Sequence, residues 1–192
     1  MKYDELKLEK FTGSDGCDYA RIIINGRELI DLVKEIELPI AEKKGNPESA
    51  GMYNYLPAEA IFEPSFHLYR KQSPKYDYNK IKYYNSKSED KFPILESPNN
   101  DGRDWALFVY IRMYSSDIEW VNFEKVYKDQ TKADPDLQYK GLRPFVFDRN
   151  NYWNEKVKYF NNVENENLVR LLCNHKEDEI RTALRALQQL RY

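Results

Sequence analysis

The chain has 192 residues, a formal net charge of −2 and a hydrophobic share of 41% against 32% charged, a balance that suits one soluble globular domain with a charged surface. No global field draws it to nucleic acid or to a membrane surface, and no apolar run approaches the length of a transmembrane helix. The start, MKYDELKLEKF, is charged from residue 2, so no signal peptide is expected.

In chain order, residues 6–11 alternate apolar and charged, which predicts a half-buried strand. TGSDG at 12–16 is turn chemistry, and YARIII at 19–24 predicts the second strand of a hairpin. After Asn25-Gly26, the spacing of Leu29, Leu32, Val33 and Ile36 predicts an amphipathic helix over 27–37, ended or bent by Pro39. Residues 45–57 read as a long ordered loop, and 58–68 fit no single pattern. Residues 69–103 are polar and basic and promise the least regular structure. WALFVYIRMY at 105–114 is nearly continuous in apolar residues and predicts a central strand. Residues 118–123 predict its return strand, 143–147 another strand and 149–161 a helix. Stripes at Leu168, Leu171 and Leu172 and from Ile180 to Leu190 predict a helical C-terminus.

The expected fold class is therefore α+β: a mostly antiparallel sheet with helices packed on one face and a helical C-terminal tail. Residues 1–161 read as the domain, with a polar insertion near 69–103. Residues 162–192 read as an appendage packed on the domain or on a partner.

Two blocks of punctuation carry a resemblance. The first is Asn25-Gly26-Arg27, Glu37-Leu38-Pro39, Ala41-Glu42, Gly45, Ala50-Gly51 and Leu56-Pro57. The second is Trp120 and Phe123 followed by Tyr139, Leu142, Pro144-Phe145-Val146-Phe147-Asp148-Arg149 and Tyr152. Together they resemble a family of bacterial proteins that read roughly NGR…ELP…AE…G and W-x-x-F…PFVFDR-x-x-Y. The resemblance implies no activity. Family members tend to carry a Cys-rich stretch before the central strand and a His-Arg pair after Trp-x-x-Phe. This chain has SPNNDGRD and Val126-Tyr127-Lys128 there instead.

Few residues read as chemistry. Asp148, between an apolar strand and a helix, has the form of a helix N-cap, and Arg149 would then sit in the first turn, where a cation needs compensation. Cys17, Cys173, His67 and His175 do not supply a zinc ligand set, so no metal and no cofactor is expected. Two free thiols point to the cytoplasm. No nucleotide-binding glycine motif or nucleophile elbow is present. Residues 67–91 interleave five Tyr with seven Lys or Arg, a composition that single-stranded nucleic acid binding uses. Asp77, Glu89, Asp90 and the acidic total argue against it, so nucleic acid is the third reading.

The leading expectation is a non-catalytic cytoplasmic protein that binds another protein, of a regulatory or toxin-neutralising type, through Tyr-rich loops. Its contact residues would include Tyr53, Tyr55, Trp120, Tyr139, Asp148 and Arg149, and a homodimer through the C-terminal helix is a further arrangement. The rival is an enzyme with a cleft around Asp148, Arg149 and Tyr139.

Overall fold

A computed structural model describes residues 2–62, 91–98, 105–127 and 139–159. Within them the chain runs β1 (Leu6–Thr12), β2 (Asp18–Ile24), β3 (Arg27–Glu28), α1 (Leu29–Lys43), a 3-10 turn (Pro47–Ser49), β4 (Asn54–Tyr55) and α2 (Ala58–Phe62). It continues through β5 (Lys91–Glu96), β6 (Trp105–Met113), β7 (Asp117–Tyr127), a second 3-10 turn (Tyr139–Gly141), β8 (Phe145–Asp148) and α3 (Arg149–Val157). The class is α+β, and every pairing between these strands is antiparallel.

The strands form a three-stranded sheet, β1-β2-β3, and a five-stranded sheet, β4-β5-β6-β7-β8. The apolar run at 105–113 is the middle strand of the larger sheet, as its composition predicts. Two seams join the sheets. Asp4, just before β1, bridges to Phe147 of β8, and Tyr19 of β2 bridges to Pro57 beyond β4. At the second seam the Ala20 N–H donates to the Leu56 carbonyl at 3.1 Å. Hydrogen bonding therefore passes from β1 through β2, the β4 segment, β5, β6, β7 and β8 and back to Asp4. A ring of this kind leaves few open strand edges. The outer edge of β1 is covered further by α3: Leu8 N–H donates to Glu155 Oε2 at 2.6 Å and Lys10 N–H to the Tyr159 hydroxyl at 3.0 Å.

The first seam is built by side chains that mimic backbone. Asp4 N–H donates to the Val146 carbonyl at 2.7 Å, and its own Oδ2 accepts from Val146 N–H at 2.9 Å. Arg143 grips the same carboxylate with both terminal nitrogens, and Asn25 Nδ2 donates to Oδ1 at 2.7 Å. Asn25 repeats the device on Glu5, donating from its backbone and accepting at Oδ1, both at 2.9 Å. Asn25 and Gly26 have φ of 52° and 78°, the pair of left-handed residues that a tight two-residue hairpin turn requires.

The core draws on both sheets and the helices, including Leu8, Ile22 and Ile24 of the small sheet, Leu107, Val109, Ile118 and Trp120 of the large one, and Leu29 and Val33 of α1. An aromatic group closes the α3 side. Trp120 meets Phe147 and Tyr152 edge-on at 5.4 and 6.2 Å between centroids, and its indole N–H reaches the Tyr152 hydroxyl at 3.3 Å.

Three expectations are revised. The α1 helix does not stop at 37 but passes through Pro39 to Lys43. Pro removes one helical bond, but buried Glu37 and Ala41 anchor the turns on either side of it. Part of the region read as least regular, 91–96, is β5, whose Phe92, Ile94 and Leu95 are buried. Finally, Tyr53 is a buried residue, not a loop contact, and Asn54-Tyr55 pair as β4. The C-terminal stripe and nearly all of 67–91 lie outside the described residues.

Burial works against ionisation of Asp4, but Arg143, Asn25 and the Val146 N–H outweigh it and hold the carboxyl at about 2, below its usual 3.8. A depressed carboxyl stabilises the fold fully above its unfolded pKa and loses that contribution as pH falls through the folded one. We therefore expect the seam to give up on the order of 2 kcal/mol between about pH 4 and pH 2. Urea midpoints across that range should fall more steeply for the native chain than for Asp4→Asn. Parallel pH profiles would show that Asp4 carries no such load.

Candidate functional site

Polar side chains converge most densely not at Asp148 but at Glu37. Glu37 is only 4% exposed. Its Oε2 accepts from Gly51 N–H at 2.7 Å, and its Oε1 accepts from the Tyr53 hydroxyl at 2.8 Å and from the Tyr139 hydroxyl. Lys125 Nζ lies 3.4 Å from the same Oε1, and the two tyrosine hydroxyls are 2.9 Å apart. Burial pushes the Tyr53 and Tyr139 hydroxyls well above their ordinary pKa, and the neighbouring carboxylate adds to the effect. Both therefore stay protonated donors.

Each partner reaches Glu37 by a local device. Helix α1 ends in a reversal in which Asn46 N–H donates to Ala41 O and Gly45 N–H to Glu42 O, both at 2.9 Å, with Gly45 at φ 75°. This is a Schellman stop, and it folds 47–53 back along the helix. Gly51 has φ 70°, and a Cβ there would lie 2.7 Å from Lys34 Cβ, so only glycine brings this N–H to the carboxylate.

Lys125 is aimed by a bulge in β7. Phe108 pairs with Glu124 and Tyr110 with Val121, so Asn122 and Phe123 together face Val109. Asn122 has φ 54°, which asparagine tolerates better than most residues. Before the bulge Ile118 and Trp120 share the face of Met113 and Ile111 of β6; after it Phe123, Lys125 and Tyr127 share the face of Val109, Leu107 and Trp105. The extra residue thus re-phases the strand and turns Lys125 toward Glu37. There the ammonium lies 4.9, 4.7 and 5.8 Å from the ring centroids of Tyr53, Trp105 and Tyr127, within cation–π range.

Beside this network lies a cleft of about 270 Å3. Glu37 and Lys125 are its most enclosed polar residues. Ile40, Ala41, Ala50 and Met52 supply aliphatic wall, and Trp105 and Tyr127 supply aromatic wall. Met52 is 42% exposed at the mouth. The Trp105 indole N–H is buried with no acceptor among the described residues.

The sequence-derived candidates do not form one site. Tyr53 and Tyr139 join Glu37, while Tyr55 packs on Phe11 at 5.5 Å and donates to Glu28. Trp120 belongs to the aromatic core. Asp148 caps α3, its Oδ1 accepting from Asn151 N–H at 2.9 Å. Arg149 is buried; its Nη1 donates to the Tyr114 carbonyl at 2.8 Å and its N–H to the Ser116 carbonyl at 3.0 Å. The compensation that a first-turn cation needs is thus a carbonyl of the β6–β7 turn. Asp148 and Arg149 serve the corner between β8 and α3, and the contacts of Tyr139 are with Glu37 and Tyr53. Sequence reasoning passed over Glu37, Lys125 and Trp105, since a charged residue on an amphipathic helix reads as solvent-facing.

Among the described residues no group of three or more His, Cys, Asp or Glu is arranged to hold a metal ion, and no helix is long and apolar enough to cross a membrane. No family model matches the chain, and no curated protein or solved structure does either. Function has to be read from the geometry alone.

Substitutions at two positions separate load from ornament. Glu37→Ala would remove the shared acceptor of two hydroxyls, an N–H and the Lys125 ammonium, and should cost roughly 3–5 kcal/mol, with Glu37→Gln losing distinctly less; urea denaturation of both variants measures this. Asp148→Ala should cost about 1 kcal/mol and Asp148→Ser or Asn much less, because a cap needs only a short acceptor. Equal losses for all three would mean that the charge itself matters.

Proposed function

We propose that the protein is a non-catalytic binding module that holds a protein partner by an anchor side chain seated in the cleft beside Glu37. The observation that carries this reading is how heavily Glu37, a buried residue of the cleft's lining, is already engaged. Four donors occupy its two oxygens. A carboxylate so engaged is poorly placed to take a proton from a substrate, and the two tyrosines are held as donors to it. What the cleft offers an incoming group is apolar and aromatic wall.

Size supports the same reading. At about 270 Å3 the cleft falls below the range of roughly 300–1,000 Å3 common for small-molecule sites. It suits one large side chain, the kind of buried anchor that dominates protein interfaces. Methionine at the mouth adds an adaptable apolar contact. The exposed thiol of Cys17 fits a reducing compartment, and we place the module in the cytoplasm. The partner's identity as a toxin or a regulated protein belongs to this same proposal.

Site-specific photocross-linking tests it. A benzophenone amino acid at Met52 should join covalently to one cellular protein in the native host. The same probe at Tyr114, 45% exposed on the β6–β7 turn, should not. Trp105→Ala should weaken the Met52 adduct at least several-fold. Absence of any adduct from Met52, or equal labelling from both positions, would overturn the assignment.

A further inference from the structure

The turn Asn25-Gly26 carries a chemistry that its structural role does not use. In an Asn-Gly pair the glycine amide nitrogen can attack the asparagine side-chain carbon, because no Cβ shields it. The Gly26 nitrogen then bonds to Asn25 Cγ, the Cγ–Nδ2 bond breaks, and Nδ2 departs as ammonia with the proton lost from the Gly26 amide. The resulting succinimide is opened by a water molecule at either carbonyl, leaving aspartate or isoaspartate. No oxidant or reductant takes part.

The folded chain blocks the first step. Asn25 Oδ1 is held by Glu5 N–H at 2.9 Å, Nδ2 by Asp4 Oδ1 at 2.7 Å, and the Asn25 backbone N–H by Glu5 O at 2.9 Å. The backbone is fixed in the left-handed region at both turn residues. Both side-chain bonds must break before the amide can present its face to the Gly26 nitrogen. They break when the corner formed by Asp4, Glu5 and Asn25 opens.

The product cannot re-form the corner. Deamidation replaces the donor at Nδ2 with a carboxylate oxygen facing the Asp4 carboxylate, which already accepts from Arg143 and Val146. Two like charges then face each other, one on exposed residue 25 and one on partly buried Asp4. The isoaspartate product also adds a methylene to the backbone of a two-residue turn whose geometry tolerates little change.

We propose that Asn25 is a fold-gated modification site: it stays intact while the seam between β1 and β8 is closed, deamidates when the seam opens, and once converted keeps the seam from closing with its native strength. The conversion makes a reversible local opening into a one-way mark on the chain.

The test uses the whole chain at 37 °C and mildly alkaline pH, with one sample native and one in urea. Peptide mapping by mass spectrometry follows the loss of ammonia and the appearance of isoaspartate at position 25. Native protein should convert at least tenfold more slowly than the denatured chain. Asn25→Asp should lower the thermal midpoint by several degrees, and Asn25→Ser, which adds no charge, by less. Equal conversion rates in the two samples would overturn the proposal, as would an Asn25→Asp midpoint equal to that of the native chain. If Asn25→Asp does not fold, the two conversion rates decide the matter.

Discussion

Glu37 places a carboxylate almost wholly out of water's reach, and a buried charge of this kind is tolerable only when it is paired and hydrogen-bonded. That requirement reaches across the chain. It brings the loop at Gly51 and Tyr53, the far end of β7 at Lys125 and the turn at Tyr139 to one point on α1. Asp4 imposes a similar demand near the start of the chain, gathering Asn25, Arg143 and Val146. Apolar burial drives the collapse. The two carboxylates then choose, among the compact arrangements the apolar residues would accept, the one in which their donors converge.

The two networks differ in what surrounds them. Asp4 sits on a seam, and its partners are backbone and side chains that extend the strand ladder. Glu37 sits beside a cleft, and its partners line or support the wall. One holds the ring closed, while the other holds a concave surface in a fixed shape. A rigid concavity lowers the entropic cost of binding, which is why a saturated network supports recognition better than it supports proton transfer.

How legible this was from residues alone depended on how local the cause is. The central strand 105–113 was readable because a run that is apolar on both faces has nowhere to lie but inside a sheet. The first hairpin followed from alternation, and the cap at Asp148 from its position between an apolar run and a helix. Strand β5 was missed because KFPILE is short, contains Pro93 and stands in polar surroundings. Pro93 and Leu95 also flank a register shift against β6, so no period-2 pattern is left to read. The site was less legible still. Tyr53 and Tyr139 were recognised as tyrosines that do something, yet their partner lies 16 and 102 positions away. Glu37 looks like any charged position on a helix. Lys125 faces it only because Asn122 adds a residue to one strand, and nothing in composition or spacing announces a bulge.

That bulge separates two things that strands usually keep together. In an unbroken strand the alternation that packs the core also decides which residues face a neighbouring pocket. Here Ile118 and Trp120 obey one phase, and Lys125 and Tyr127 obey the other. The two halves of β7 are therefore free to drift in sequence under different constraints. The half before Asn122 answers to the aromatic core, and the half after it answers to Glu37 and the cleft wall. A lineage carrying this fold could vary position 127 while leaving the core's packing untouched, whereas position 125 stays tied to Glu37. If the same residues paired without the bulge, Glu124 and Val126 would instead take these places and give the same scaffold a different surface to present.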